Sequence, residues 1–451
     1  MTNKKRFYAA SIADELGYLF ERSTPYSLTF SSIMTLEGKV DSAVVRTALD
    51  ASLNYYPKLK CVLVDSYPSC RRWFRYAWEY RDVSSKDVLE GTERAEGDYT
   101  HQDVVSDFEQ YHHAHAIDIT SDPPIKVLLI RSGRLVHLIF FFHHAAVDGL
   151  SVIFFIQTFI KFYEAMFYQR TQEDYGTPDF EAISQPAIRF RWSNLSPKLI
   201  SPFLKNASLA RKEPPIPLSP HDGENGRKKL IAALKELSPD QFKRLRASAK
   251  RHQSTINNYL LASMFRTIKR WNQKWQDTSR RIYVSVPTNL RPPEDRTVGN
   301  IISGYYFSLK TEAISDRDTV LDLVREQWPP MAEHARQNTN LLWFLKPLPL
   351  RVKINMFKHQ APAVGPTLLL SNWGTCNLNP DHTDSDGFQC MGDASIRNIT
   401  TIPHPVLWPQ LTVITYNNRL SISFAVFRSH FPVETAEEFL QCFIQELMAE
   451  D

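Results

Sequence analysis

Glycine and cysteine are both scarce in this chain, whose 451 residues include 15 glycines and 5 cysteines. Neither GxGxxG nor the phosphate-cradling GxxxxGK followed by Ser or Thr occurs, which disfavours the nucleotide-binding folds built on them. Cys61, Cys70, Cys376, Cys390 and Cys442 are scattered without CxxC spacing. An odd, unpatterned set does not suit a disulfide framework, so a reducing compartment is expected. No uninterrupted apolar run reaches the roughly 20 residues of a membrane span. The opening MTNKKRFYAAS meets Asp14 and Glu15 before any apolar stretch. No secretory signal is expected there, and the expected location is cytoplasmic. Charge of one sign is also lacking: 53 basic residues face 49 acidic ones, a net +4. That balance does not argue for a nucleic-acid partner. Serine-hydrolase chemistry loses its usual sign because no GxSxG elbow is present. His112, His113 and His115 cluster, but without HExxH or carboxylate and cysteine ligands at recognised spacing no metal is expected. The DSDG at 384–387 has histidine where a calcium loop needs its first acidic ligand, so it reads as a solvated loop.

What is present is the composition of an ordinary folded protein, 43% hydrophobic and 23% charged. The length exceeds what one hydrophobic core supports, so two domains are expected. Residues 176–227 concentrate prolines around the polar HDGENG and form the best linker. The units on either side are 1–175 and 228–451. Both mix strands with helices, giving an α/β class of mixed topology.

Several elements carry local signals. Ser27 to Leu36 reads as a strand, and Asp41 or Ser42 caps a helix to Asn54. A hairpin spans 125–130 and 135–142, and a helix apolar almost all round covers 151–167. In the second half Ser238-Pro239-Asp240-Gln241 is a capping box. A further helix starts at Ser254 or Thr255, and a late hairpin turns at Asn417-Asn418. The 340–358 stretch is apolar and basic at once, suiting a cover helix and leaving peripheral contact with a membrane surface open.

The polar residues of interest lie where the 135–142 strand meets the 151–167 helix, in FFFHHAAVDG. Strand-to-helix junctions are places where ligands meet such folds. His143 and His144 end the strand, and Asp148 and Gly149 open the helix. A histidine can take a proton in one step and return it in the next. Acyl transfer from a thioester needs both acts. The attacking hydroxyl or amine loses a proton, and the departing thiolate gains one. One ring nitrogen serves if the other is held by a hydrogen bond, which a backbone carbonyl at a strand end can supply.

HHAAVDG resembles the HHxxxDG signature of the acyltransferase superfamily that includes chloramphenicol acetyltransferase, peptide-synthetase condensation domains, BAHD enzymes and alcohol acetyltransferases. IDITSDPPIKV, STINNYLLASMFRTIKRW, VPTNLRPPEDRTVGN and LLLSNWG are similar to further segments of that family, so the likeness covers most of the chain. It implies two chloramphenicol-acetyltransferase-like subdomains, each a mixed sheet flanked by helices, in a V with a central channel. It implies His144 as general base, His143 as structural, and Asp148 turned from substrate onto an arginine, with Arg291 in the matching position. It also places Ser371, Asn372 and Trp373 in the channel, where Asn372 or Trp373 donates to the oxyanion.

SNWG stands where plant BAHD enzymes have DFGWG, which argues against that branch. The opening SIADELGYLFERSTPYSLTF is similar to free-standing alcohol and polyketide-associated acyltransferases, and a free-standing monomer is expected. The expected activity is transfer of an acyl group from acyl-CoA or an acyl carrier protein to a small-molecule hydroxyl or amine acceptor. No covalent enzyme intermediate and no tightly bound cofactor are expected. Phe140, Phe141, Phe142 and Trp373 fit an apolar acyl chain or an aromatic acceptor, although core packing explains the phenylalanines equally well. A free-standing condensation enzyme working on carrier-bound substrates and a catalytically silent scaffold of the same fold are the alternatives.

Overall fold

The computed structural model describes residues 6–24, 27–65, 76–94, 99–170, 177–184, 212–213, 218, 230–275, 281–328, 348–359, 365–404, 408–427 and 431–449. Of the expected linker 176–227, only 177–184, 212–213 and 218 are among them. Residues 340–347 of the apolar and basic stretch lie outside them.

In the first half, β1 (Arg6–Ala9), α1 (Ile12–Ser23), β2 (Thr29–Glu37), α2 (Ser42–Tyr55), β3 (Cys61–Asp65), β4 (Tyr76–Tyr80) and β5 (Leu89–Glu93) come first. Short helices at His101–Ser106 and Phe108–Ala114 lead to β6 (Ile125–Ser132), β7 (Leu135–His143) and α3 (Gly149–Phe167). The second half runs β8 (Leu230–Leu237), α4 (Pro239–Arg251), α5 (Ile256–Gln273), β9 (Arg281–Asn289), β10 (Ile302–Lys310), a helix at 317–328, α6 (Leu350–His359) and β11 (Leu368–Thr375). It ends with β12 (Cys390–Met391), β13 (Ala394–Ile402), β14 (Gln410–Tyr416), β15 (Arg419–Phe427) and α7 (Val433–Met448).

Local chemistry accounts for many of these boundaries. The Asp41 carboxylate accepts from the backbone of Ala43 and Val44 to open α2, and both arms of the Ser238–Gln241 capping box form. Asn417 and Asn418 both take positive φ, 44° and 56°, as a tight hairpin turn between right-twisted strands requires.

Two six-stranded sheets carry the architecture, in the orders β12-β13-β2-β7-β6-β5 and β10-β9-β11-β14-β15-β8. The first is not assembled from the first half alone. Between residues 390 and 402 the chain crosses from the second half, and β13 pairs antiparallel with β2 from Ser395↔Glu37 to Ile402↔Ser31. The segment read as a solvated loop around Asp381 to Asp393 is the approach to this crossing and contains β12.

Burial explains why β7 reads as a near-continuous apolar run. It is flanked by β2 and β6, and both of its faces are covered. Phe140 and Phe142 pack on Phe155 and Phe159 of α3, while Phe141 joins a separate cluster with Ile402, Ala425 and Phe427 that lies between the two sheets. The three phenylalanines are therefore core. Helix α3 is long and apolar enough to cross a membrane by composition, but most of it is buried in this core. Helix α6 packs across the halves on α1, with Lys353 bonded to Glu15, both buried.

Candidate active site

Strand β7 delivers the two histidines into different surroundings. The His143 ring is fully buried, and its Nδ1 accepts from the Ala145 backbone N–H at 3.2 Å. Nε2 must then carry the proton, which it donates to Glu21 Oε2 of α1 at 2.7 Å. Glu21 Oε1 in turn accepts from the Leu28 backbone at 2.8 Å, so His143 braces the strand end against α1.

His144 is only partly buried, and its backbone N–H donates to the Leu28 carbonyl at 2.9 Å. Its ring bonds its own backbone carbonyl. Only Nδ1 can reach back that far, and a carbonyl only accepts, so Nδ1 holds the proton and Nε2 presents its lone pair. Asn300 Nδ2 donates to the same carbonyl at 2.8 Å. Burial pushes the His144 pKa below its ordinary value, with the carbonyl bond and the Asp148 charge acting in the opposite direction. The ring is neutral at pH 7 and able to take a proton.

Asp148 turns away from this ring. Its Oδ1 accepts from the Ser151 N–H and hydroxyl, both at 2.9 Å, and thereby caps α3. Its Oδ2 accepts from Arg291 Nη1 at 2.8 Å and from the Ile301 N–H at 2.7 Å. Arg291 spends every N–H in the same place: Nε on Thr297 O, Nη1 on Asp148 and Asn289, Nη2 on Ser151 and Gly299 O. Both charged side chains are 0% exposed. The β9–β10 loop is thus riveted to the first turn of α3. A helix cap is worth about 1 kcal/mol, whereas losing one partner of a buried ion pair costs roughly 3–5 kcal/mol. The ion pair is the larger of Asp148's two contributions.

Strand β11 supplies the opposite wall. A Cβ on Gly149 would lie 2.4 Å from Trp373 Cε2, so only glycine admits the indole at the start of α3. The Trp373 ring also meets Phe30 of β2 edge-on at 6.1 Å. Asn372 points elsewhere. Its Oδ1 accepts from the Gly374 N–H at 2.9 Å, and its amide donates to Asn257 of α5 at 3.4 Å. Among the described residues, neither Ser371 Oγ nor Trp373 Nε1 makes a hydrogen bond, and these two remain as available donors.

Two contributors to the site carried no signal in the sequence. Phe30 packs 5.2 Å from the His144 ring. His404, two residues past β13, stands edge to face with His144 at 4.6 Å and also meets Phe30 at 5.9 Å. The crossing strand brings it there, because Ile402 pairs with Ser31 beside Phe30. The earlier histidine cluster has ordinary roles: His112 Nε2 donates to the Thr29 carbonyl at 2.9 Å, and His115 stacks on Phe141 at 4.9 Å.

No curated protein sequence matches the chain. Among solved structures, the TRI3 trichothecene 15-O-acetyltransferase from Fusarium sporotrichioides superposes with a TM-score of 0.76 at 10% identity, covering 99% of this chain and 96% of that one. The first condensation domain of the calcium-dependent antibiotic synthetase, in complex with a substrate analogue, gives 0.74 at 14% identity over 99% and 96%. A double mutant of the starter condensation domain of rhizomide synthetase RzmA, in complex with C8-CoA and Leu-SNAC, gives 0.68 at 13% over 98% and 94%. At such identities the likeness is one of fold, two-lobed and mixed α/β. The Condensation domain family model matches residues 7–449, and the chain belongs to that family.

Proposed function

We propose that this protein transfers an acyl group from a thioester, carried on CoA or on an acyl carrier protein, to a hydroxyl or amine acceptor in a single ternary complex. The observation that carries this reading is the His144 ring, held neutral with Nδ1–H on its own carbonyl and the Nε2 lone pair free. The acceptor oxygen or nitrogen attacks the thioester carbon as its proton passes to Nε2. The carbonyl oxygen becomes an oxyanion, and Ser371 Oγ and Trp373 Nε1 are the unpartnered donors on the facing wall. Collapse breaks the C–S bond, and Nε2–H returns the proton to the thiolate, releasing free thiol. No side chain forms a covalent bond to the acyl group.

TRI3 is by its name an O-acetyltransferase, and the RzmA domain binds C8-CoA, which supports free acyl-CoA as a donor class. The family match favours a second reading, condensation of carrier-bound substrates. The experiment mixes the protein with acyl-CoAs of graded chain length and alcohol and amine panels, follows free thiol, and repeats the series with acyl groups on a holo carrier protein. Acceptor-dependent thiol release that drops by about 10²–10⁴ in His144→Ala is expected. Wild-type turnover in that variant overturns the mechanism, and turnover with carrier-bound donors alone selects the second reading.

A further inference from the structure

His404 is a histidine that neither the fold nor the mechanism above uses. It is 8% exposed, and among the described residues neither ring nitrogen makes a hydrogen bond. Its neighbours are the rings of His144 and Phe30. Neither nitrogen is sealed from solvent, so both are open to hydrogen bonding by a molecule that enters the site.

The two neighbouring rings are not equivalent. His144 has its own carbonyl and the Asp148 carboxylate to favour a proton, whereas burial and the nearby His144, His143 and His112 all disfavour one on His404. The same causes hold His404 well below the ordinary histidine range, so near neutral pH it is a neutral imidazole, with one donor and one acceptor, set beside the base.

We propose that His404 is a substrate-contacting residue that hydrogen-bonds the acceptor's nucleophilic hydroxyl or amine and orients it toward His144 Nε2. Ser371 and Trp373, the donors suited to the thioester oxygen, belong to β11, whereas His404 follows β13 and packs on the base itself, where the nucleophile must lie. An alcohol oxygen gives its proton to His144 and accepts from the His404 N–H. A primary amine gives one proton to His144 and keeps its other N–H as a hydrogen-bond donor to the acceptor nitrogen of His404. A neutral imidazole serves both acceptor classes.

This proposal rests on the acyltransferase reading, and its test separates the two. Steady-state kinetics are measured with octanoyl-CoA as donor and benzyl alcohol and benzylamine as acceptor probes, for the wild type, His404→Phe and His404→Gln. Phenylalanine keeps the ring packing and removes the polar atoms, while glutamine keeps a donor and an acceptor. In His404→Phe the acceptor KM is expected to rise about tenfold with the donor KM moving less than twofold, and His404→Gln should recover most of the loss. An unchanged acceptor KM in His404→Phe overturns the proposal. So does an equal rise in both KM values, or a loss that glutamine does not rescue, since either marks a packing role. Absence of thiol release by the wild type with every donor and acceptor instead overturns the acyltransferase reading, and this inference with it.

Discussion

Two clusters at the start of α3 differ in one respect. Around Asp148 every strong donor and acceptor has a partner, down to the five N–H groups of Arg291. Around His144 the Asn300 Oδ1, the Trp373 indole N–H and both nitrogens of His404 have none among the described residues, and neither has the Ser371 hydroxyl two positions before Trp373 on β11. The first pattern is that of a structural joint, in which a low local dielectric makes each missing bond costly. The second is that of a site awaiting a ligand. The motif spans both patterns, so its aspartate and its second histidine do different work four residues apart.

The largest effect expected from breaking this contrast is on Asp148. Asp148→Asn leaves Arg291 buried without its counter-charge, at a cost of roughly 3–5 kcal/mol. Thermal melting should fall by about 5–15 °C. A variant that melts like the wild type but has lost all turnover would make Asp148 a reacting group and erase the distinction. Next comes Gly149→Ala, which drives a methyl into the Trp373 indole. Overpacking of this kind costs about 1–3 kcal/mol. Because the indole must move off the site, turnover should drop at least about tenfold, more than the loss of stability explains. Unchanged kcat would show that the indole position does not matter to the reaction.

Two smaller effects separate acid inactivation from acid unfolding. His101, away from the site, is pushed down to about 3 by burial and by His137. The unfolded ring takes a proton below about 6.5, the folded one only near the lower value, so stability is lost as pH falls through that window. At pH 5.5 the loss from this group is about 1 kcal/mol. His101→Gln should flatten the dependence of melting on pH, and melting curves of equal slope in both proteins would refute it. Activity should follow His144 instead. Its burial-lowered pKa places the acid limb of kcat/KM below about 6.5, and a limb above that value would mean that the base lies elsewhere.

Most strands and helices were legible because their causes are local. The capping box at Ser238, the asparagine turn at 417–418 and the all-apolar α3 each depend on residues a few positions apart. Helix α1 carried no such expectation, although Ser11 and Asp14 form a capping box there. Asp14 and Glu15, which in the sequence served only to argue against a secretory signal, are both buried against Lys58, Trp78 and Lys353. Within the site, His144, Asp148, Gly149, Arg291 and Trp373 lie in recognisable motifs. Asn372 lies in one too, but its side chain turns toward α5, because neighbouring residues on a strand face opposite ways.

The sequence by itself determined the chemistry on offer, because a histidine at a strand end and a glycine at a helix start are set by residues adjacent in the chain. Only the tertiary structure decided which groups meet that histidine. β13 leaves the half it belongs to in sequence and pairs with β2, carrying His404 to a ring 260 positions earlier in the chain. Such a meeting follows from the pairing of strands far apart in the chain, and no local spacing records it.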